Sequence, residues 1–176
     1  DPDWSRGLGD VYKRQDILTG TLGKALGGGA GGFVAGSQTA IDLLVQRARP
    51  TLFSNALPTT VAASAEMAIR ILQEEPERVE RLRANVERAR SGIRDAGFEV
   101  LDSPTAICPI IVGDTARAIR LSERLLEKGV FVIGFGYPVV PEGEARLRVQ
   151  ISAAHTDEHI DRLVHALREL QAEEEA

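Results

Sequence analysis

Lys24 is the residue in this chain whose surroundings most invite chemistry. It sits in residues 16–32, DILTGTLGKALGGGAGG, a run of small residues with glycine on both sides of the amine. Glycines lack Cβ and tolerate positive φ, so such a backbone can turn tightly and close on a bound group. Thr19 and Thr21 add hydroxyls within a turn of the amine. Hydroxyls and backbone N–H groups together suit an anion such as phosphate. A lysine, two hydroxyls and a flexible backbone are what an imine-forming lysine needs to hold a phosphorylated aldehyde.

Two motif readings of the same stretch compete with this one. A nucleotide P-loop requires glycine five residues before the Gly-Lys pair and Ser or Thr after it, where this chain has Leu18 and Ala25. Gly27, Gly29 and Gly32 satisfy the spacing of a dinucleotide fingerprint, but they lead into the short apolar run Phe33-Val34-Ala35 and not into a helix. The plain alternative is a glycine-rich loop with an incidental exposed lysine.

Other reactive side chains are fewer. Arg146 and Arg148 alternate with Leu147 and Val149, so they share one face of a strand, which by pattern alone is a solvated or salt-bridged surface. His155, Glu158 and His159 spell the H-x-x-E-H order of one zinc-protease class. Thr156 reads as a helix cap, which would leave His155 outside the helix and away from His159, so no metal site is expected. Cys108 lies among Ile107, Pro109 and Ile110 and reads as a small buried side chain. A single cysteine excludes an internal disulfide framework and fits a reducing compartment.

The elements that must carry these residues alternate along the chain. Ile17-Leu18 and residues 33–35 read as short strands flanking the lysine loop. Ser37 caps a helix to Arg47, and residues 50–55 read as extended. Pro58 opens a long helix to about Glu74 with a narrow stripe of Val61, Ala65, Ala68, Ile69 and Leu72. Glu75-Pro76 breaks it and marks a domain boundary. Residues 77–96 are amphipathic, with Gly97 at the helix stop. Residues 98–101 and 107–112 read as strands, Asp114 caps a helix stopped by Gly129, residues 130–133 read as a buried strand, and residues 146–151 as a half-exposed one. Thr156 caps a last helix bearing Ile160, Leu163, Val164, Leu167 and Leu170. The order of helices and strands is that of an α/β sandwich.

Composition sets the outer bounds. The 176 residues carry 21 basic and 26 acidic side chains, a net charge of -5, with no basic patch of the kind nucleic acid demands. No apolar run reaches the roughly 18 residues of a membrane span, and no signal peptide is visible, so a soluble, cytoplasmic protein is expected. Residues 173–176 read as a solvated acidic tail. Residues 10–15 can be encoded by GAT GTG TAT AAG AGA CAG, a transposon mosaic end of the kind used to build sequencing libraries, so residues 1–15 are expected to be non-native and adapter-derived.

Three blocks in order carry a family resemblance: TGTLGKALGG at residues 19–28, RPTLFSN at 49–55 and ARLRVQISAAHT at 145–156. Together they resemble the α-oxoamine synthase family of pyridoxal 5'-phosphate (PLP) enzymes, over Asp16 to about Gln171. The forms of residues 53–55, 135–141 and 152–156 resemble the branch that joins glycine to acetyl-CoA, a reaction whose reverse serves threonine breakdown. Sister branches use other amino acids and acyl-CoAs. The resemblance implies the C-terminal part of a PLP-dependent transferase fold, aspartate aminotransferase-like fold type I. Residues 16–75 would end the PLP-binding large domain, and 76–172 would form the small α/β domain. It further implies that Lys24 is the Schiff-base lysine and proton shuttle, and that Thr21 lies at the cofactor phosphate. Phe53, Ser54 and Asn55 would reach the phosphate region of a neighbouring subunit's site in a homodimer, and Arg148 would pair with the substrate carboxylate. A bidentate guanidinium suits that last task. In this family a pyridine-facing aspartate and a ring-stacking histidine come from upstream of the lysine, and Asp16 is not that aspartate. The expectation is therefore a C-terminal fragment, inactive alone; a non-catalytic α/β interaction domain is the reading from a different class.

Overall fold

The computed structural model describes residues 15–27 and 29–175, with side chains through Glu174. The adapter reading of residues 1–15 lies, apart from Gln15, outside these. The chain divides into two compact units, Asp1–Pro76 and Glu77–Ala176.

In the first unit β1 (Ile17–Thr21) and β2 (Gly32–Gly36) form an antiparallel ribbon in the register Ile17↔Gly36 to Thr21↔Gly32. Three helices follow: α1 (Gln38–Arg47), α2 (Arg49–Phe53) and α3 (Thr59–Glu74). Ser37 caps α1 as expected, its Oγ accepting from the Ala40 N–H at 3.4 Å. Residues 49–53 form a short helix where the sequence suggested an extended segment. Pro50 stands in its first turn, the one place where a helix tolerates a missing N–H. Among the described residues of this unit only Ala65 is buried, while Ile17, Leu18, Phe33, Val34, Leu43 and Phe53 lie open.

The second unit contains the main core. Helix α4 (Glu77–Asp95) ends ahead of Gly97, whose φ of 86° is the left-handed turn that the glycine was expected to supply. Then come β3 (Ile107–Gly113), α5 (Thr115–Glu127), β4 (Ile133–Phe135), β5 (Ala145–Gln150) and α6 (Asp157–Glu175). The sheet order is β3-β5-β4, antiparallel throughout. Strand alternation puts Cys108, Ile110, Val112, Ala145, Leu147 and Val149 inward, against Ile93, Leu125, Ile160 and Leu167 of the helices. Helices α4 and α6 approach closely at Gly92, where an added Cβ would lie 2.4 Å from Val164 Cγ2. Burial pushes the Cys108 thiol up, opposed by the nearby Arg90 guanidinium, and its full enclosure fits the structural role read from sequence. Asp114 caps α5, its Oδ1 accepting from the Arg117 N–H at 2.7 Å.

Three expectations change here. Residues 98–101 are not a full strand: Val100 forms one bridge to Ile110, flanked by backbone bonds from Leu101 to Pro109 and from Ile111 to Glu99. In residues 130–133 only Ile133 pairs in the sheet. Val130 N–H bonds back to the Leu125 carbonyl, and the Val132 carbonyl accepts from Ser122 Oγ at 2.6 Å, so α5 takes the groups a strand partner would use. Finally, the acidic run at 173–175 is helical, with Glu173 and Glu174 exposed but ion-paired. Glu173 bonds to Arg124 and Lys128, and Glu174 to Arg117, all from α5.

Those pairs carry a pH dependence. Hydrogen bonding from Lys128 holds Glu169 below the ordinary carboxylate range, and hydrogen bonding from Arg117 does the same for Glu174. A depressed carboxylate adds stability that is whole above its unfolded pKa, about 4.3, and is lost as pH falls through the lower folded value. Acidification from about pH 5 to about pH 3 is thus expected to fray the end of α6. Helical NMR shifts should be lost from Glu169 to Glu174 while those at Ile160 hold. Retention of helix there at the acid end would contradict it.

Candidate active site

The loop between β1 and β2 presents Lys24. A backbone bond from Leu22 N–H to the Gly31 carbonyl at 3.0 Å closes its mouth, and one from Gly27 N–H to the Lys24 carbonyl, also 3.0 Å, turns the chain just after the lysine. Gly27, Gly29 and Gly31 have φ of 65°, 74° and 88°, which side chains with a Cβ rarely adopt. A Cβ at Gly32 would stand 2.7 Å from the Gly20 carbonyl oxygen, so the ribbon can close only on glycine there. From α3, Ser64 Oγ donates to the Gly27 carbonyl at 3.0 Å and anchors the loop. Sequence reading placed Ser64 on a helix of small residues without assigning it this bond; its only signal was a hydroxyl among alanines.

Thr21 closes the near side. Its Oγ1 accepts from the Gly23 N–H at 3.2 Å, which leaves the hydroxyl proton available to an anion. Thr19 lies two residues back on the same strand, so the two hydroxyls share a face. Lys24 is exposed and has no side-chain partner among the described residues. Lys128 differs: Glu169 and Glu173 hold its ammonium at 2.7 and 3.3 Å and raise its pKa, the hydrogen bond it donates to Glu169 being the largest cause. Of these two lysines, Lys24 is the one whose amine is free to react. An amine with no partner among the described residues, three positions after a threonine hydroxyl on a loop that backbone bonds hold closed, fits a phosphorylated aldehyde.

Phe53, Ser54 and Asn55 lie on and just after α2, all exposed. The Arg49 guanidinium sits 5.6 Å from the Phe53 ring centroid, and Ser54 N–H bonds to the Pro50 carbonyl. No hydrogen bond joins these three residues to the Lys24 loop among the described residues.

Arg148 belongs to the second unit, on the central strand, opposite Pro109 of β3 and Ile133 of β4. The structure separates the two outward arginines. Arg146 is engaged by its neighbour, Nε donating to the Glu144 carbonyl at 3.0 Å and Nη2 to Glu144 Oε2 at 2.9 Å. Arg148 is exposed and has no partner among the described residues, which leaves its planar fork open to a carboxylate.

The turn after β5 is held by a residue that sequence reading missed. Asn85 of α4, 7% exposed, donates from Nδ2 to the carbonyls of Ser152 at 3.0 Å and His155 at 2.9 Å. Its signal was an amide on the apolar face of a helix, between Leu82 and Ala89. His155 and His159 stand closer than expected, their rings edge to face at 5.9 Å, but no group of three metal-ligating residues forms among the described residues.

Comparison with known proteins gives a consistent picture. The family model for aminotransferase class I and II matches residues 3–167. A mouse protein named 2-amino-3-ketobutyrate coenzyme A ligase, mitochondrial, is 47% identical over 91% of this chain and 38% of its own length. An 8-amino-7-oxononanoate synthase of Thioalkalivibrio sulfidiphilus is 50% identical over 86% of this chain and 38% of its own. Among solved structures, the serine palmitoyltransferase of S. paucimobilis with a bound PLP–myriocin adduct superposes with a TM-score of 0.81 at 28% identity, covering 89% of this chain and 40% of that one. The chain thus spans about two fifths of the length of the relatives it matches. Among the described residues no helix is long and apolar enough to cross a membrane.

Proposed function

This chain belongs to the aminotransferase class I and II family, and we propose that it serves a PLP-dependent C-acyltransferase that condenses glycine with acetyl-CoA to give 2-amino-3-oxobutyrate and CoA. The observation that carries the reading is the exposed Lys24, without a side-chain partner among the described residues, three positions after Thr21 in a loop built of glycine. The name of the mouse relative supports the choice of substrates.

In this reading residues 16–75 end the cofactor-binding domain and 76–172 form the small domain. PLP, when bound, supplies an electron sink for the α-carbon of glycine. Lys24 would hold the cofactor through Nζ and would take the α-proton of glycine on that same nitrogen. Thr21 donates its hydroxyl proton to the phosphate. Phe53, Ser54 and Asn55 serve the phosphate region of a neighbouring subunit's site, which makes the working form a homodimer. Arg148 pairs with the glycine carboxylate and orients the α-carbon. That carbon would form a bond to the acetyl carbonyl carbon, the thioester C–S bond would break, and the sulfur would take the proton that Lys24 removed, so that CoA leaves as the thiol. A second reading, 8-amino-7-oxononanoate synthesis, is favoured by the 50% identity of the Thioalkalivibrio protein.

Thiol release discriminates the two. A protein of the relatives' full length that carries this sequence should turn over glycine with acetyl-CoA at least about tenfold faster than alanine with pimeloyl-CoA, a difference of roughly 1.4 kcal/mol in transition-state binding. The reverse order would move it to the other branch. The 176-residue chain alone is expected to release no thiol above a cofactor-only control, because the upstream aspartate and histidine that the family resemblance requires have no counterpart assigned within it. Turnover of about 1 per second or faster would show those groups to be dispensable.

A further inference from the structure

Apart from Lys24 and Arg148, a cleft beside residues 129–132 gathers groups that the proposed chemistry does not use. Its volume is about 340 Å³, within the roughly 300–1,000 Å³ of small-molecule sites. Val130, Val132 and Leu163 give it an apolar wall. Its polar lining includes His155, His159 and Arg162 and no carboxylate, in a chain whose net charge is -5.

Hydrogen bonds fix both histidines. His155 Nδ1 accepts from the Ser152 N–H and His159 Nδ1 from the Thr156 N–H, each at 3.2 Å. A neutral imidazole that accepts at Nδ1 carries its proton on Nε2. Both rings are then left with an N–H donor at Nε2 where a metal would need a lone pair. Arg162 is exposed, with no hydrogen bond or ion pair among the described residues, and its Nη1 would lie 4.0 Å from a Cβ at Gly129. Phe131 lines the same cleft and is 77% exposed, an unusual position for a ring in a chain with only five phenylalanines.

We propose that this cleft binds a phosphorylated purine of mononucleotide size, with the phosphate on Arg162 and the imidazole N–H groups and the base on the Phe131 ring. Guanidinium matches phosphate oxygens with a planar fork, and the imidazole N–H groups add hydrogen bonds. An aromatic face accepts any purine by stacking. Phosphate alone would leave the ring unused, and a nucleoside alone would leave the donors unused. This site stands independently of the Lys24 chemistry.

The test is titration of the 176-residue chain with AMP, inorganic phosphate and adenosine, followed by calorimetry and by the NMR signals of the histidine rings. AMP is expected to bind with a Kd at or below about 1 mM and to shift the resonances of both rings, with phosphate and adenosine each at least about tenfold weaker. Arg162→Ala and Phe131→Ala should each weaken AMP at least about tenfold. Both side chains are exposed, so the amide signals of Ile110 and Leu147 should stay in place and show that the fold is kept. The proposal is overturned if AMP leaves the histidine rings unmoved, if Arg162→Ala binds AMP as tightly as the parent, or if phosphate alone binds as well as AMP.

Discussion

Replacing Lys24 by alanine should erase the pyridoxyl label that borohydride fixes on the protein in the presence of PLP. The chain has three lysines: Lys13, Lys24 and Lys128. Lys128 is committed to Glu169 and Glu173, which stabilise its ammonium form, and an ammonium has no lone pair with which to attack an aldehyde. Lys24 has no such partner among the described residues and lies three positions after Thr21, the hydroxyl proposed to meet the phosphate. Peptide mapping of the wild-type chain should place the label at Lys24, and the variant should fall to the background given by free amines. Turnover in the full-length protein should fall by about 10³-fold or more, because both the covalent anchor and the proton-transfer group are removed together. A label that maps to Lys128, or survives in Lys24→Ala, would end the assignment.

The second large effect is expected at Arg148. Glycine has no side chain, so its carboxylate is the main handle by which a protein can orient the α-carbon. Arg148→Ala should raise the KM for glycine about 100-fold, a loss of roughly 2.7 kcal/mol, while the KM for acetyl-CoA changes little. Arg148→Lys should recover only part of this, since an ammonium cannot reproduce the two parallel bonds of a guanidinium. Arg146→Ala is the control. Its guanidinium is already spent on Glu144, so glycine affinity should stay within a few-fold of the parent. Equal effects at the two arginines would mean that strand-face charge, and not a specific fork, binds the substrate.

What could be read from sequence follows the range of the interactions involved. The caps at Ser37 and Asp114 and the stop at Gly97 were readable because each is decided within a few residues. The Lys24 loop was readable for the same reason: its glycines are needed by the loop's own turns and by the strand pairing at its base. Errors arose where a distant element took over a local group. Ser122 captures the Val132 carbonyl, so an apolar run with good strand propensity yields a single paired residue, Ile133. Arg117, Arg124 and Lys128 order an acidic stretch lying roughly 50 residues further on, and no local pattern announces that. Asn85 reaches Ser152 and His155 across 67 and 70 positions, a pairing invisible to periodicity. The free state of Arg148 is also a tertiary fact. Alternation put two arginines on one face, and only the Glu144 contact tells them apart.

The central position of β5 also governs the order in which the second unit can assemble. β3 and β4 never pair with each other; β5, the last strand in the chain, is the one strand that joins them, and beyond it β3 has the single bridge from Val100. As the polypeptide leaves a ribosome, β3 emerges, then α5, then β4, and none of them can close a sheet until residues 145–150 follow. Through that interval Cys108, Ile110 and Val112 have only the short 99–101 segment at their side, and helix α4 has only β3 and the residues just before it to pack on, through contacts such as Arg90 with the Thr105 and Ile107 carbonyls. Folding of this unit is therefore cooperative and late, dominated by contacts between distant positions. A nascent chain stalled before Ala145 would expose the edge of β3 and become a client for chaperones, whereas one released a few dozen residues later, with α6 complete, can close the sheet and cover it in a single event.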